Sequence, residues 1–222
     1  MTLVTVLAIA GVAGVALAGA SLLTMRAIGA RLGMGRRLAG PPEVKVGRLT
    51  AATELPSRPV RVVGRIRCTD PLLTPEGDRL VAFHRDVEVR VAGRWRSLER
   101  VRETRSFELW DHDGSLTIDP AEAAEPLIVI PAVWHGQPTQ LDEPHASAAA
   151  RMAERHGPIS AARSVTRSIA ITDRLAVLAL VRADSSRRIR LEPPPGGFLI
   201  ANLPLADAMR LLGGTHRRLV GA

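Results

Sequence analysis

Alternating apolar and polar residues along the chain predict a series of half-buried β-strands. In the segment 60–68, "VRVVGRIRC", four apolar residues fall on one face: Val60, Val62, Ile66 and Cys68. Arg61, Arg65 and Arg67 fall on the other. In the segment 79–91 the apolar positions are Val81, Phe83, Val87, Val89 and Val91. The residues between them are Ala82, His84, Asp86, Glu88 and Arg90. A period of two residues is typical of a strand with one buried face.

Turn residues and changes of period divide the rest of the chain. "AGRW" at 92–95 predicts a hairpin, and "DHDG" predicts a second hairpin with Asp113-Gly114 as its turn. Residues 143–157 match a helix that ends at Gly157-Pro158. Residues 174–183 are almost entirely apolar and predict a central strand. A short helix near the end of the chain is capped by Gly213 in this interpretation.

The segment 187–204 contains three prolines and two glycines between two apolar stretches. We expect "EPPPGG" to be a stiff connector that joins a strand ending at Leu191 to an antiparallel strand beginning near Phe198. Four residues are expected to pack on the core: Ile189, Leu191, Phe198 and Ile200. Arg188 and Arg190 are expected to point to solvent.

Residues 1–25 contain no charged residue, and as a helix they would span about 37 Å, enough to cross a hydrocarbon core of about 30 Å. A cleaved signal peptide is the alternative, because "ALA" at 16–18 fits a cleavage site. The absence of a basic residue before the apolar run favours an uncleaved anchor. Four arginines follow the run: Arg26, Arg31, Arg36 and Arg37. They predict a single-pass protein of the cell membrane whose soluble domain is cytoplasmic. They also predict contact with anionic headgroups.

The composition adds a net charge of +8, carried almost entirely by arginine, and a single cysteine, Cys68. One cysteine excludes an internal disulfide and any zinc site built from several thiolates. A second basic run near the end of the chain is a candidate contact for an anionic lipid or protein, or a solvated strand edge. Its members are Arg182, Arg187, Arg188 and Arg190.

Several of these segments, in this order, resemble the GIDE domain, also called BAM for "beside a membrane". They are "VRVVGRI" (60–66), "GRW" (93–95), "TRSFELWDHDGSLTIDP" (104–120) and the segment 187–212. The family occurs in mitochondrial ubiquitin ligases and in bacterial and archaeal membrane proteins. The resemblance covers residues 45–212 and implies a β-rich domain beside a membrane. The eukaryotic relatives carry a RING finger with eight zinc ligands, which this sequence with one cysteine does not provide.

The sequence offers no catalytic motif. It contains no nucleophile elbow, phosphate-binding loop or zinc-protease motif. His145 and His156 are too far apart on one predicted helix to share a metal ion, and "DHDGSLTIDPAE" lacks the spacing of a calcium loop. We therefore expect no catalytic residues, no cofactor and no metal. The tryptophans Trp95, Trp110 and Trp134 are expected to anchor the core or its rim.

These observations predict a mainly β (α+β) protein in three parts: an anchor helix (1–25), a basic juxtamembrane linker (26–44) and a GIDE-like, barrel-like domain (45–222). The domain would contain one inserted helix and a short C-terminal helix. The leading hypothesis is a non-catalytic binding or scaffold module that is integral to the bilayer and has a protein partner. A ubiquitin ligase-type enzyme is the first alternative. An OB-like nucleic-acid-binding module is the second, although few aromatic side chains are present for base stacking and no nucleic acid is expected.

Overall fold

A computed structural model describes residue 29, residues 33–185 and residues 187–213. The predicted anchor, residues 1–25, lies outside the described residues, as do Arg26 and Arg31. Among the residues described, no helix is both long enough and apolar enough to cross a bilayer.

The fold is mainly β, as the alternating pattern predicted, and the twelve strands of the described residues form two sheets. In chain order they are β1 Glu43–Lys45, β2 Val60–Arg67, β3 Leu72–Leu73, β4 Arg79–Val91, β5 Arg94–Thr104 and β6 Phe107–Asp111, followed by β7 Gly114–Ile118, β8 Ala132–Gly136, β9 Ile159–Ala170, β10 Arg174–Ala183, β11 Ile189–Glu192 and β12 Leu199–Ala201. The helices are α1 Val46–Thr50, α2 His145–His156 and α3 Leu205–Leu212. Residues 33–39 are also helical, and 3₁₀ turns lie at Pro120–Glu122 and Pro138–Gln140.

The larger sheet has the order β11-β10-β2-β6-β7, with β1 pairing in parallel with β2 and β12 pairing with β10. It includes the predicted central strand β10. The sheet curves far enough for its end strands β11 and β7 to approach each other, but no ladder joins them. The predicted barrel-like closure is therefore not found: the domain consists of two open sheets.

The smaller sheet has the order β3-β4-β9-β8, and β5 pairs with β4. Its longest strands are β4, β5 and β9, and α2 covers part of one face. Ala149 of α2 packs there against Val89, Val91 and Ala162. This face is apolar because β4 places every second side chain on it.

The main core lies where the two sheets meet. Val81 and Ile169 of the smaller sheet share one buried cluster with Val62 and Val177 of the larger sheet. Phe107 and Leu109 are buried in the same cluster, while the side chain of Glu108 between them is 42% exposed, as the alternation predicts. Ala82 and His84, which alternation placed on the polar face, are buried as well, because this end of β4 is enclosed on both faces.

The predicted hairpin across "EPPPGG" is wrong. β11 and β12 do not pair with each other; both pair antiparallel with β10, at residues 180–183 and 176–178. They run in the same direction, and the connector joins two short strands that pair with different parts of the same strand, β10. Its inward residues were predicted correctly, since Leu191, Phe198 and Ile200 are buried and Ile189 packs on the core.

Two local details also differ from the sequence predictions. The second hairpin turns at His112 and Asp113, because Asp111 pairs with Gly114. Arg61, predicted on the polar face of β2, is only 8% exposed. Its guanidinium donates to the carbonyl oxygen of Leu38 at 2.9 Å and pairs with Glu43 at 3.4 Å. An arginine can be buried there because its charge is hydrogen-bonded and paired.

The helical residues 33–39 pack on the larger sheet together with α3. Leu38 shares a buried cluster with Leu178, Leu199 and Leu212. Arg37 extends to the proline-glycine connector, where it donates to the carbonyl oxygen of Pro195 at 2.8 Å. Residues 33–39 are thus fixed to the same side of the domain as the connector.

Candidate functional site: an exposed edge strand and its cleft

The strand β8 is an exposed edge of the smaller sheet. It pairs with β9 alone, so within the described residues no strand covers its other side. Val133 is 47% exposed and Trp134 is 38% exposed, and Ile130, two residues before β8, is 41% exposed. These are three of the four large apolar side chains exposed on the described part of the chain; the fourth is Leu73, at 73%. Exposed apolar side chains are thus concentrated near one strand.

The opposite edge of the same sheet has a very different character. β5 has the sequence "RWRSLERVRET", with four arginines and two glutamates among eleven residues. Charged side chains on an edge strand discourage pairing with another strand. β8, with the sequence "AVWHG", has neither an acidic side chain nor an arginine or lysine. Of these two edges, only β8 lacks this protection against an incoming strand.

Trp134 is held in place by its neighbours on the same face of β8. A Cβ atom added to Gly136 would lie 2.3 Å from Cζ2 of Trp134, so the indole ring occupies the space above this glycine. The same Cβ would lie 2.6 Å from Oε1 of Gln140, which accepts a hydrogen bond from the backbone N–H of Gln137. The indole N–H makes no hydrogen bond within the described residues. The ring is therefore held by its neighbours, and its N–H is left without a partner in the described residues.

Trp134 lines an open cleft of about 700 Å³ on the α2 side of the smaller sheet. Leu73, Leu80 and Phe83 contribute apolar surface to it. Arg85 projects from the middle of β4 into the same cleft, and its guanidinium has no ion pair or hydrogen bond among the residues described. The acidic residues around it are Glu76, Glu103 and Asp142. The cleft therefore combines an apolar floor, one unpaired cation and an acidic rim.

The polar groups of the cleft do not form a catalytic arrangement. His145, at the start of α2, is only 8% exposed, and its Nε2 lies 2.9 Å from Oε2 of Glu99. Ser164 and Thr166 also line the cleft, but neither makes a hydrogen bond with His145. Nucleophilic catalysis needs a hydroxyl within hydrogen-bonding reach of its base. The described geometry favours binding over acyl transfer.

A network of charges occupies the other face of the smaller sheet. Arg102 of β5 bonds Glu125 at 2.8 Å and Asp86 at 2.7 Å, and Arg100 also pairs with Glu125. Burial opposes the charge on Arg102, but these two carboxylates outweigh it and raise the pKa of the guanidinium. The hydrogen bond from Arg102 is the main cause of the lowered pKa of Glu125. The network ties β4 and β5 to the loop that leads into the core residues Leu127–Val129.

His84 borders this network and is only 5% exposed. Burial, followed by the positive charge of Arg102, lowers the pKa of its imidazole, so the ring is held neutral. His84, Arg100, Arg102 and Glu125 line a cleft of about 290 Å³. Most of its charges are already paired with one another, which indicates a structural role.

Those predicted basic residues that the structure describes are not gathered into one site. Arg36 is exposed, and Arg37 is bound to the connector carbonyl described above. In the second basic run, Arg182 lies 3.8 Å from Glu192, and Arg190 lies 3.5 Å from Asp184. Arg187 and Arg188 are exposed at the same turn. Nearby carboxylates therefore offset part of the charge of this run.

Two of the three tryptophans have structural contacts. Trp110 donates from Nε1 to the carbonyl oxygen of Ile66 at 3.3 Å, and Arg163 stacks on Trp95 with 4.2 Å between the guanidinium carbon and the ring centre. Trp134 lines the cleft of about 700 Å³, and Trp110 borders a smaller one of about 200 Å³. The sequence held one indication of the role of Trp134, because Val133 and Trp134 follow the apolar run "PLIVIP" in a segment without charge. That signal alone does not distinguish a buried strand from an exposed edge.

No group of three or more His, Cys, Asp or Glu side chains that could hold a metal ion occurs within residues 33–185 and 187–213. Comparison with protein-family models, with curated proteins and with solved structures found no match to this chain.

Proposed function

We propose that this protein is a non-catalytic docking module held beside a membrane, and that it receives an extended segment of a partner protein along β8. The observation that carries the proposal is the uncharged, uncovered edge of β8 with Trp134 fixed next to it. A strand added to a sheet edge gains affinity from backbone hydrogen bonds and specificity from pockets for alternate side chains. Here the cleft beside Trp134 would accept every second side chain of the added strand.

The contacts of the cleft favour a peptide segment with an apolar anchor and a neutral hydrogen-bond acceptor. The apolar anchor would pack against Trp134 and Phe83, and the acceptor would bond Arg85, whose guanidinium has no ion pair or hydrogen bond in the described residues. A full negative charge on the segment is disfavoured by the three carboxylates that line the same cleft. Aromatic and arginine side chains contribute most to binding energy at protein interfaces. This chemistry alone defines the partner segment that we propose.

The membrane part of the proposal depends on residues 1–25, which lack charge, and on the resemblance to the GIDE family. Residues 33–39, which follow the proposed anchor, pack on the larger sheet, whereas the cleft belongs to the smaller sheet. This arrangement supports a cleft that meets a protein partner while the other sheet holds the anchor. A ubiquitin ligase activity has no comparable support, because the sequence lacks the ligands of a RING finger.

Site-specific photo-crosslinking in cells tests the proposal. A photoreactive amino acid at position 133 is expected to give a discrete protein adduct whose crosslinks fall in one extended segment of the partner. The matched control places the same group at position 97, an exposed position on the opposite edge strand β5. Val133→Lys should abolish the adduct at a neighbouring position such as 135, because a charge on an edge strand opposes pairing. Ser97→Lys should leave it unchanged.

Two results would contradict the docking function. One is an adduct pattern that is the same from positions 133 and 97. The other is an adduct of unchanged yield in both Val133→Lys and Trp134→Ala, measured on protein whose melting temperature matches that of the wild type. Adducts with lipid alone would replace the protein partner by a membrane surface and also refute the proposal as stated.

A further inference from the structure

A second depression, separate from the β8 cleft, lies between β5 and α2. Its volume is about 140 Å³, and its polar lining consists of Arg151, Arg155, His156 and Ser97. No carboxylate lines it. Glu154, the single acidic residue of α2, is exposed and does not line the depression.

The arginines of this depression have no acidic partner within the described part of the chain. Arg151 and Arg155 are four residues apart, so they project from the same face of α2. Two further exposed arginines, Arg94 and Arg96, lie on β5 just before Ser97, and they too form no ion pair with described residues. This differs from the second basic run, where Asp184 and Glu192 offset the charge.

The positive charge is only partly explained by the fold. Arg155 and His156 lie in the last turn of α2, where a cation stabilises the helix dipole. That explanation does not extend to Arg151, whereas Arg94 and Arg96 also protect the edge strand β5 from pairing. Like charges on neighbouring positions repel each other, so a bound anion would relieve this repulsion.

We propose that this depression binds a phosphate group. A guanidinium presents a planar fork of N–H donors that matches phosphate oxygens, and two such forks can share one tetrahedral phosphate. The imidazole of His156 and the hydroxyl of Ser97 add further donors. The ring of Trp95 is occupied by Arg163, so no free aromatic platform adjoins the depression for stacking a base. The site goes beyond the proposed docking function and does not depend on it.

The phosphate can belong to a lipid headgroup or to a soluble molecule, and two arms of one experiment distinguish them. The full chain is placed in nanodiscs, and hydrogen–deuterium exchange is measured for residues 94–98 and 148–156. In the first arm, phosphatidylcholine nanodiscs receive millimolar inorganic phosphate, compared with sodium chloride at equal ionic strength. In the second arm, phosphatidylcholine nanodiscs are compared with nanodiscs that also contain phosphatidic acid.

We expect exchange in these two segments to slow by at least about threefold in one or both arms. Arg151→Gln combined with Arg155→Gln should abolish the effect. The matched control, Arg187→Gln combined with Arg188→Gln, removes the same charge from the other basic run and should retain the effect. The pair Arg151→Lys and Arg155→Lys keeps the charge but loses the forks, so it should show a reduced effect.

Slowing by free phosphate identifies a soluble ligand, and slowing only with phosphatidic acid identifies a headgroup; either result supports the site. The proposal is overturned if neither arm slows exchange in the wild type. It is also overturned if the Arg151/Arg155 glutamine variant and its control respond equally. Exchange in β10, which lies in the core, verifies that each variant is folded.

Discussion

The proline-glycine connector gives a sharp test of the fold, because its two glycines differ in what surrounds them. Gly197 has φ +88°, and a Cβ atom there would lie 2.7 Å from the carbonyl oxygen of Glu122 and 2.8 Å from the nitrogen of Ala124. Both neighbours are backbone atoms, so they cannot move aside as a side chain can. Both groups form hydrogen bonds with Phe198. The N–H of Phe198 donates to the carbonyl oxygen of Glu122 at 3.0 Å, and the N–H of Ala124 donates to the carbonyl oxygen of Phe198 at 2.7 Å.

Gly197→Ala should therefore lower the free energy of unfolding by about 3–4 kcal/mol. About 1–2 kcal/mol comes from the left-handed conformation of a residue with a Cβ atom, and about 1 kcal/mol comes from each of the two hydrogen bonds that must lengthen or break. Gly196 is the matched control. It has φ +86°, but its nearest neighbour is the guanidinium end of Arg37 at 3.1 Å, which can move. Gly196→Ala should lose only about 1–2 kcal/mol.

The measurement is urea unfolding of the full chain in an uncharged detergent, followed by tryptophan fluorescence. With an m-value of about 2 kcal/mol/M, the midpoint should fall by about 1.5–2 M for Gly197→Ala and by less than about 1 M for Gly196→Ala. Equal losses at the two positions would show that backbone conformation alone decides the cost. The contact between the connector and residues 122–124 would then be wrong.

Two further predictions concern the core and its pH dependence. Phe107→Ala should cost about 3–5 kcal/mol, because Phe107 is 3% exposed within the main core, and a loss below about 1 kcal/mol in the same urea assay would contradict that packing. Burial and then Arg102 lower the pKa of His84 in the folded state, so the unfolded chain binds this proton at higher pH. The contribution of neutral His84 to the free energy of unfolding is fully present well above a pH of about 6.5. It is lost as the pH falls below that value, by at most about 1.4 kcal/mol per pH unit. Urea midpoints between about pH 7.5 and about pH 5 should fall less steeply in His84→Gln than in the wild type; identical slopes would refute this assignment.

The sequence predicted the local elements of this fold better than their partners. Alternation correctly identified β2 and β4, because a strand with one buried face repeats every two residues whatever lies beside it, and the continuous apolar run of residues 174–183 identified β10. The connector was misinterpreted because its prolines and glycines are equally compatible with a hairpin and with an excursion beside one neighbouring strand. Only the register of β10 with β11 and β12 distinguishes the two. Arg61 was misplaced for a similar reason, since the Leu38 carbonyl that satisfies it is 23 residues away in the sequence.

The candidate site was harder to predict than the fold. An edge strand is defined by the absence of a neighbour, and sequence periodicity carries no information about that absence. Trp134 was predicted as a rim or core anchor, and its exposure follows from the position of β8 at the end of the strand order. The arginine run of residues 182–190 looked like a site because its charges are close in sequence. Asp184 and Glu192, which offset part of that charge, are equally close to the run in sequence. The arginines of β5 and α2 that form no ion pair with described residues are brought together only by folding.

The packing of residues 33–39 against α3 has a mechanical consequence. Gly35 and Met209 approach closely, with 3.1 Å between the methyl carbon of Met209 and a Cβ placed on Gly35, and Leu38 and Leu212 share one cluster. A tensile load applied between residue 33 and residue 213 would act on this pair of short helical segments before it reached the strands behind them. The strand ladders of the smaller sheet lie outside that load path. Tension on the two ends of the domain would therefore leave the edge of β8 and the position of Trp134 undisturbed. A load applied to β8 itself would have to pass through β9 and β4 before it reached the larger sheet.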